Sequence, residues 1–515
     1  MPPRACWHSG ATWPMRAGST PTISAWSRRR GWRNWRAPCV PTCPTWLPCN
    51  NNAASRPWPA PLVHEVHMTQ SSPGGAVRLG AYPDFMTVWR GQTISVFGSQ
   101  MAAFAISIWI YRETGSVLQF GAVIAAQLVP SILFAPLTGL LVDRYHRKYV
   151  MLATEVGLTV AALALWALLR AGWLTPTNML LFSPVIALFG SIHQIAYASS
   201  IGLLVPRAAY ARANGYVQMG INGSAAIVPL ISVHALEELG LGMVILLNAA
   251  TYVMAAVSLA FARFMPKPEV AAKPRKPFSL AGLLEQLSFG LRYIRAQRGL
   301  MVLVLFLCAV SVLNGVVLVL FRPMILGSAS DAVLGWLATI AGFGGLAGAI
   351  AASTFSARAD RVRTLLCASM ISGTSMALCG LCTNFPTLAV LAFLFSFSAP
   401  FILVSGQTLM QMITPTEIQG RVFSTRAFFS GLALIAAVSI APVLAEYGFA
   451  PWMASGHVLA PFAHWLDAGA SAPMRAVFTL TGAGMVVLAL AAVRSAPFRA
   501  LRAQMSEAHL VAARA

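Results

Sequence analysis

The stretch Gly139-Leu-Leu-Val-Asp143-Arg144-Tyr-His-Arg147-Lys148 places an acid, three bases and a histidine between two long apolar runs, residues 117–142 and 149–169. A shorter copy, Ala-Asp360-Arg361-Val-Arg363, follows 217 residues later, again between apolar runs. A basic connection that recurs once in each half of an apolar chain is typical of a duplicated membrane bundle. We therefore predict two related sets of membrane-spanning helices.

The composition excludes a water-soluble domain. The chain has 515 residues, of which 57% are hydrophobic and only 10% charged, and its mean hydropathy is +0.68. Many apolar runs reach the roughly 20 residues that a helix needs to cross hydrocarbon. These runs are continuous rather than alternating, which excludes an outer-membrane barrel. The expected fold class is all-α, with twelve transmembrane helices in two pseudo-symmetric six-helix bundles.

The predicted spans alternate with short polar connections. Their limits are 86–110, 117–142, 149–170, 177–205, 213–236, 241–263, 300–322, 332–356, 363–383, 386–413, 420–445 and 474–493. The connections on one side of the membrane hold most of the arginines and lysines. The net charge of +21 therefore indicates which side faces the cytoplasm. We therefore expect a multi-pass protein of the bacterial cytoplasmic (inner) membrane with both termini in the cytoplasm.

These limits divide the chain into five parts. The expected parts are 1–80, an N-terminal extension; 84–264, the first bundle; 265–299, a cytoplasmic linker; 300–493, the second bundle; and 494–515, a cytoplasmic tail. Residues 1–67 hold seven Trp, four Cys and eleven Pro but no apolar run of spanning length, so we predict no fold there and a working start at Met68. The linker is proline-rich as far as Pro277, and leucines at helical spacing then predict an amphipathic helix, either on the membrane surface or packed under the bundle.

Four motifs carry a family resemblance. They are Val88-Trp-Arg-Gly-Gln92-Thr-Ile-Ser-Val-Phe-Gly-Ser99, Thr114-Gly-Ser116, Leu141-Val-Asp143-Arg144-Tyr-His-Arg147-Lys148 and Gly420-Arg421-Val-Phe-Ser424. Over about residues 80–495 the chain resembles exporters of the macrolide-efflux branch of the major facilitator superfamily, whose relatives include the bacterial enterobactin exporter. The resemblance implies secondary efflux of bulky amphipathic compounds, usually by proton antiport. His146 and Val228 stand where that superfamily's patterns have Gly.

The charged connection between the second and third spans suggests a conformational latch. Asp143 can hold a neighbouring base in one conformation and release it in another, while the bases attract anionic lipid at about 1 kcal/mol each. The alternative is that these charges only set topology. The candidate latch residues are Gly139, Asp143, Arg144, Arg147, Lys148, Asp360, Arg361 and Arg421.

Few ionisable groups lie inside the spans, and this narrows the candidates for carrying a proton. Glu155 lies inside the third span, where an ionisable side chain is a functional candidate by default. Its alternative is to reach the inner surface and pair with Arg147 or Lys148. Asp143 is the second candidate for proton coupling.

Uncharged polar side chains in the spans predict a central cavity, because each would cost free energy against lipid. Hydrogen bonds between helices, with no substrate involved, are the alternative for any one of them. The cavity candidates are Arg90, Gln92, Gln127, Gln194, Tyr197, Gln218, Asn222, Asn314, Gln407 and Gln411, and His193 belongs to the same polar set.

Taken together, these features predict a monomeric, proton-coupled exporter of macrolide-like or other hydrophobic compounds, not an enzyme, with no metal and no cofactor. The expected partners are a small-molecule substrate, protons and lipid, with no nucleic acid. The chain has no Gly-x-x-x-x-Gly-Lys-Ser/Thr phosphate cradle, so an ion gradient must supply the energy. Export of a siderophore or another self-made metabolite is the alternative, although an anionic siderophore would need cavity bases, of which the sequence shows few. A non-transporting membrane sensor is a third possibility.

Overall fold

The computed structural model describes residues 82–134, 138, 141–142, 144–206, 209–264, 280–355, 360–415, 418–455 and 469–500. All of them lie in the compact unit Gly75–Ala515. Gly139, Asp143, the extension 1–80, most of the linker before 280 and the tail after 500 lie outside the described residues.

The first half consists of long helices that begin and end at residues suited to those positions. Pro83 occupies the first turn of α1, and Gly115 at φ 60° ends it. The Ser116 side chain accepts a hydrogen bond from the Gln119 N–H and so caps α2, and Thr175 caps α4 in the same way. The helices are α1 (Pro83–Thr114), α2 (Val117–Leu133), α3 (Arg147–Arg170), α4 (Pro176–Ser200) and α5 (Tyr210–Phe261).

The second half has the same construction, preceded by the linker helix. Asp360 caps α9 by accepting from the N–H groups of Val362 and Arg363. The helices are α6 (Leu280–Ala296), α7 (Arg298–Leu326), α8 (Asp331–Phe355), α9 (Arg361–Leu381), α10 (Phe385–Ile413), α11 (Gln419–Val443), α12 (Ala450–Ala454) and α13 (Ala472–Arg494), with a π-helical turn at Leu444–Phe449. The described residues thus confirm the predicted all-α fold.

Ten helices are long and apolar enough to cross a membrane, and α2 is a shorter apolar helix. One of the ten lies within α5, whose 52 residues would measure about 78 Å as a straight helix at 1.5 Å per residue, more than two hydrocarbon thicknesses. Its backbone leaves helical geometry at Gly240, between the predicted fifth and sixth spans. The count of twelve crossings stays a prediction.

The linker helix α6 packs against the bundle. A Cβ at Gly290 would lie 2.0 Å from Oγ1 of Thr425 in α11, and Ile294 is 3% exposed. The Arg421 guanidinium lies 5.0 Å from the Phe289 ring centroid. Of the two predicted placements, these contacts favour a helix packed under the bundle.

The two halves meet closely where α1 ends and α2 begins, a region we term the Arg112 end. Arg112 of the first half forms a 2.6 Å ion pair with Asp331 of the second. Glu446 accepts hydrogen bonds from the Ser116 hydroxyl and from the Leu118 N–H. Deeper in the bundle, Gly342 of α8 packs against the α5 backbone, where a Cβ would lie 2.4 Å from the Cα of Ala226.

Candidate functional site

A polar cluster lies inside the first half at Glu155. Glu155 is fully buried, and it is the ninth residue of α3, about 12 Å along the helix from its start. The Nε2 of Gln92, on α1, donates to Oε1 of Glu155 at 3.0 Å. Oε2 is buried and has no hydrogen-bond partner among the described residues. The predicted alternative, in which Glu155 reaches the surface to pair with Arg147 or Lys148, is therefore wrong in this conformation.

His193 of α4 completes this cluster. Its Nε2 lies 2.6 Å from Oε1 of Gln92 and 3.4 Å from Oε1 of Glu155. Its Nδ1 lies 2.9 Å from the hydroxyl of Thr154, which also lies 2.8 Å from the Met151 carbonyl oxygen. Because the Gln92 amide donates to Glu155, its carbonyl oxygen must accept from His193, which assigns a proton to Nε2.

The cluster can hold an additional proton in two places. Nδ1 of His193 can accept from the Thr154 hydroxyl, or it can be protonated and donate to that oxygen while the hydroxyl donates to the backbone. The second place is the unpartnered Oε2 of Glu155. A buried carboxylate with so few donors is costly, and a proton on either group reduces that cost. The His193 side chain is 14% exposed whereas that of Glu155 is not exposed, so His193 is the member of the pair that the surroundings can reach.

The predicted latch residues are largely held by backbone carbonyls and helix ends. Arg147 donates to the Ser199 carbonyl, and Lys148 donates to those of Ala260 and Ala262, at 3.0 and 2.9 Å. These contacts tie the start of α3 to α4 and α5. Arg144 is exposed, and Asp360 caps α9. Since Asp143 lies outside the described residues, the latch stays a prediction.

The predicted cavity residues separate into three groups by exposure. Gln92 and Tyr197 are buried, so in this conformation they contribute to packing and to the Glu155 cluster rather than to a cavity wall. Asn222 and Gln407 are partly exposed. The exposed members are Arg90, Gln127, Gln194, Gln218, Asn314 and Gln411.

An apolar cavity of about 510 Å³ lies between α2, α4 and α11. Its walls include Ala122, Ala126 and Val129 of α2, Pro184 of α4 and Val438 of α11. Its volume falls in the range of about 300–1,000 Å³ that holds drug-sized ligands. Because α11 belongs to the second half, this cavity lies between the two halves.

Sequence reasoning passed over two features of the site. It placed His193 only among general polar groups, because no pattern in α3 and α4 shows that His193 and Glu155 face each other. It also did not mark Arg426 of α11. In the stretch Gly420-Arg421-Val-Phe-Ser424-Thr-Arg426, this arginine resembles a base that lies near the end of a helix. In the structure the Arg426 side chain reaches Gln407 of α10.

Comparison with known proteins agrees with this architecture. The model of the Major Facilitator Superfamily matches residues 88–328. Macrolide efflux protein A of Streptococcus pyogenes is 22% identical over 369 residues, covering 70% of this chain and 89% of its own length. The uncharacterized MFS-type transporter YfiS of Bacillus subtilis is 25% identical over 376 residues, covering 70% of this chain and 87% of its own.

Solved structures share the fold at low sequence identity. A bacterial homolog of the human lysosomal transporter Spinster, in an inward-facing and unoccupied conformation, has a TM-score of 0.59 at 14% identity, covering 83% of this chain and 98% of its own. The nucleoside transporter NupG has a TM-score of 0.58 at 13% identity, covering 82% and 100%. These comparisons confirm the resemblance noted from the four sequence motifs.

Proposed function

We propose that the chain is a member of the major facilitator superfamily, whose model matches residues 88–328, and that it is a secondary transporter that exports hydrophobic or amphipathic small molecules, such as macrolide-like drugs, by proton antiport. The observation that carries the proposal is the buried cluster of Glu155, Gln92 and His193, which can hold a proton inside the bundle. The relatives named macrolide efflux protein A support the choice of substrate class.

Alternating access gives the cluster a way to move protons. By the predicted topology the Arg112 end faces outward, so the contacts of Arg112 with Asp331 and of Ser116 with Glu446 close the outer side. When these contacts part, the halves can rock and expose the site to the other side. Asp143 and the bases beside it would then form the latch on the inner side.

The apolar cavity between α2, α4 and α11 suits the body of such a substrate, because it offers hydrophobic side chains at the junction of the halves. One proton moving through 100 mV yields about 2.3 kcal/mol. At about 1.4 kcal/mol per tenfold, this supports a substrate gradient of roughly 40-fold. A single titrating cluster is therefore sufficient for useful efflux. We place this transporter in the bacterial inner membrane as a monomer.

The test is accumulation of a labelled macrolide in cells with and without the protein, each with and without a protonophore. We expect lower accumulation only in expressing cells that keep their proton gradient, and Glu155→Gln should remove that difference. Glu113→Gln is the matched control, because Glu113 is exposed at the end of α1 and lies outside the cluster. Equal accumulation in all four conditions would remove the drug-efflux proposal.

Export of a siderophore or another self-made metabolite is the second candidate. One observation favours it, namely the presence of Arg426 inside the second half, where the sequence had suggested few bases. The same accumulation experiment with a labelled catecholate siderophore, which is anionic, would separate the two substrates.

A further inference from the structure

Arg426 lies inside the second half with few partners. It is the eighth residue of α11, about 10 Å along the helix from its start. Its Nη1 donates to Oε1 of Gln407 at 3.4 Å, which is long for an N–H···O hydrogen bond. Its Nε is buried and has no hydrogen-bond partner among the residues that the structure describes. Within the described part of the chain, no carboxylate forms an ion pair with it.

Arg475, in the first turn of α13, shows how this fold satisfies an arginine that has only a structural role. Its guanidinium donates to the Cys382 carbonyl at 2.6 Å and to the hydroxyls of Ser328 and Ser471, both at 3.1 Å. Arg475 is 1% exposed, whereas Arg426 is only partly buried. Arg426 therefore keeps donors that the protein does not use.

Gln407 lies on α10 between the surfaces that contact α7 and α8. On one side of it, Gly406 packs against Leu307 of α7, where a Cβ would lie 2.8 Å from a leucine methyl. On the other side, the Phe397 backbone packs against Gly348 of α8. At 100° per residue, Gln407 lies about midway between these two contacts around α10. Gln407 therefore lies on the side of α10 between these two contacts, where Arg426 reaches it from α11.

Once they are bonded to each other, the two side chains keep only N–H groups as unused donors. An arginine has five N–H donors and no acceptor, so it must be the carbonyl oxygen of Gln407 that faces it. This leaves the Gln407 amide N–H₂ as a further donor, without a partner among the described contacts. One turn further along α11, the neutral side chain of Ser430 lies 3.8 Å from Cys308 of α7. A cation surrounded by neutral donors inside a membrane bundle lacks its counter-ion.

We infer that Arg426 and Gln407 form a subsite for an oxyanion of the transported molecule, so that the substrates include amphipathic organic acids bearing a carboxylate. This inference rests on the proposed export function and specifies its substrate class. Arginine suits the task because its planar guanidinium can bind the two oxygens of a carboxylate at once. A large apolar part of the molecule would remain in contact with the hydrophobic walls of the bundle.

The test is a binding titration of the full chain in nanodiscs of neutral lipid, with empty nanodiscs subtracted. The probes are pyrenebutyrate, its uncharged methyl ester and pyrenesulfonate, read by fluorescence. We expect pyrenebutyrate to bind at least tenfold more tightly than the ester, equivalent to about 1.4 kcal/mol. Pyrenesulfonate tests whether a different oxyanion binds at the same site. If it binds more weakly than pyrenebutyrate, the result supports a carboxylate as the bound group.

Three variants locate the preference. Arg426→Gln should bind acid and ester equally, whereas Arg426→Lys should retain part of the preference. Gln407→Glu supplies a neighbouring carboxylate as counter-ion and should also remove the preference, which gives a second test if Arg426→Gln does not fold. Arg363→Gln is the control, because it removes the same charge at an exposed position.

Equal binding of acid and ester by the wild type, or a preference that persists in both Arg426→Gln and Gln407→Glu, would overturn the subsite. The titration uses no proton gradient. A failed subsite would thus leave proton-driven efflux intact, and failed efflux would leave the binding preference intact.

Discussion

Replacing Gly342 by alanine should open the Arg112 end. In the structure a Cβ at Gly342 would lie 2.4 Å from the Cα of Ala226, 2.7 Å from the Ala225 carbonyl oxygen and 2.9 Å from the Ala226 nitrogen. Carbon atoms in contact are ordinarily about 3.5–4.0 Å apart, so α8 and α5 would have to separate by more than about 1 Å. All three obstructing atoms are backbone, and no side-chain rotation can relieve the clash.

Overpacking of this kind costs about 1–3 kcal/mol. The cost falls only on conformations in which α8 and α5 touch at Gly342, and we expect parting of the halves from the Arg112 end to separate this deeper contact. The equilibrium should therefore shift toward the conformation open at the Arg112 end by about 5- to 150-fold. The chain should remain folded, since the substitution lies between the halves rather than within one of them.

Spin-label distances measure this shift directly. In a chain whose own cysteines have been replaced, labels at Glu113→Cys and Ala329→Cys report the distance between the halves, since both positions are exposed at the Arg112 end. We expect Gly342→Ala to move the distance distribution to longer values. Gly345→Ala is the control on the same helix, because its Cβ would come no closer than 3.9 Å to another group. Identical distributions for wild type and Gly342→Ala would refute the reasoning.

Three further changes test other contacts. Glu446→Ala removes the acceptor that joins the halves beside Arg112, and we expect the same label pair to report an opening of similar size, in line with about 1.5–3 kcal/mol for hydrogen bonds to a charged group. Arg475→Met should lower the unfolding temperature in detergent through the loss of about 2 kcal/mol or more, whereas Arg494→Met at the exposed end of α13 should not. Gln92→Leu should leave Glu155 without its amide donor and abolish proton-driven efflux while the protein still folds; unchanged efflux would separate Gln92 from the proton site.

The apolar runs and the charged connections between them located most helix boundaries, because a long apolar run inside a bilayer forms a helix. The predicted third span, 149–170, matches α3, which ends at Arg170. The break between the fifth and sixth spans falls at Gly240, beside the predicted limits 236 and 241. The predicted second span, 117–142, extends beyond α2, which ends at Leu133.

The candidate site was less accessible to sequence reasoning, and Glu155 shows why. Its position in the third span marked it as unusual, but two outcomes were open, a buried role and a surface ion pair. The choice depended on whether Gln92 of α1 and His193 of α4 lie opposite Glu155. Along the sequence, Gln92 is 63 positions from Glu155 and 101 positions from His193. Helical periodicity specifies which residues share a face of one helix, but not which faces of different helices meet.

The sequence by itself determined the membrane class and the helical fold, since both follow from local hydropathy and from the position of charge along the chain, and its division into two related halves stays a prediction. Only the tertiary structure decided that Glu155 is buried beside a histidine, that Arg475 finds three hydrogen-bond acceptors and that Arg426 keeps unused donors among the described residues. The physical reason is that a charge inside a membrane protein is defined by its neighbours on other helices, and the packing of the halves brings those neighbours together.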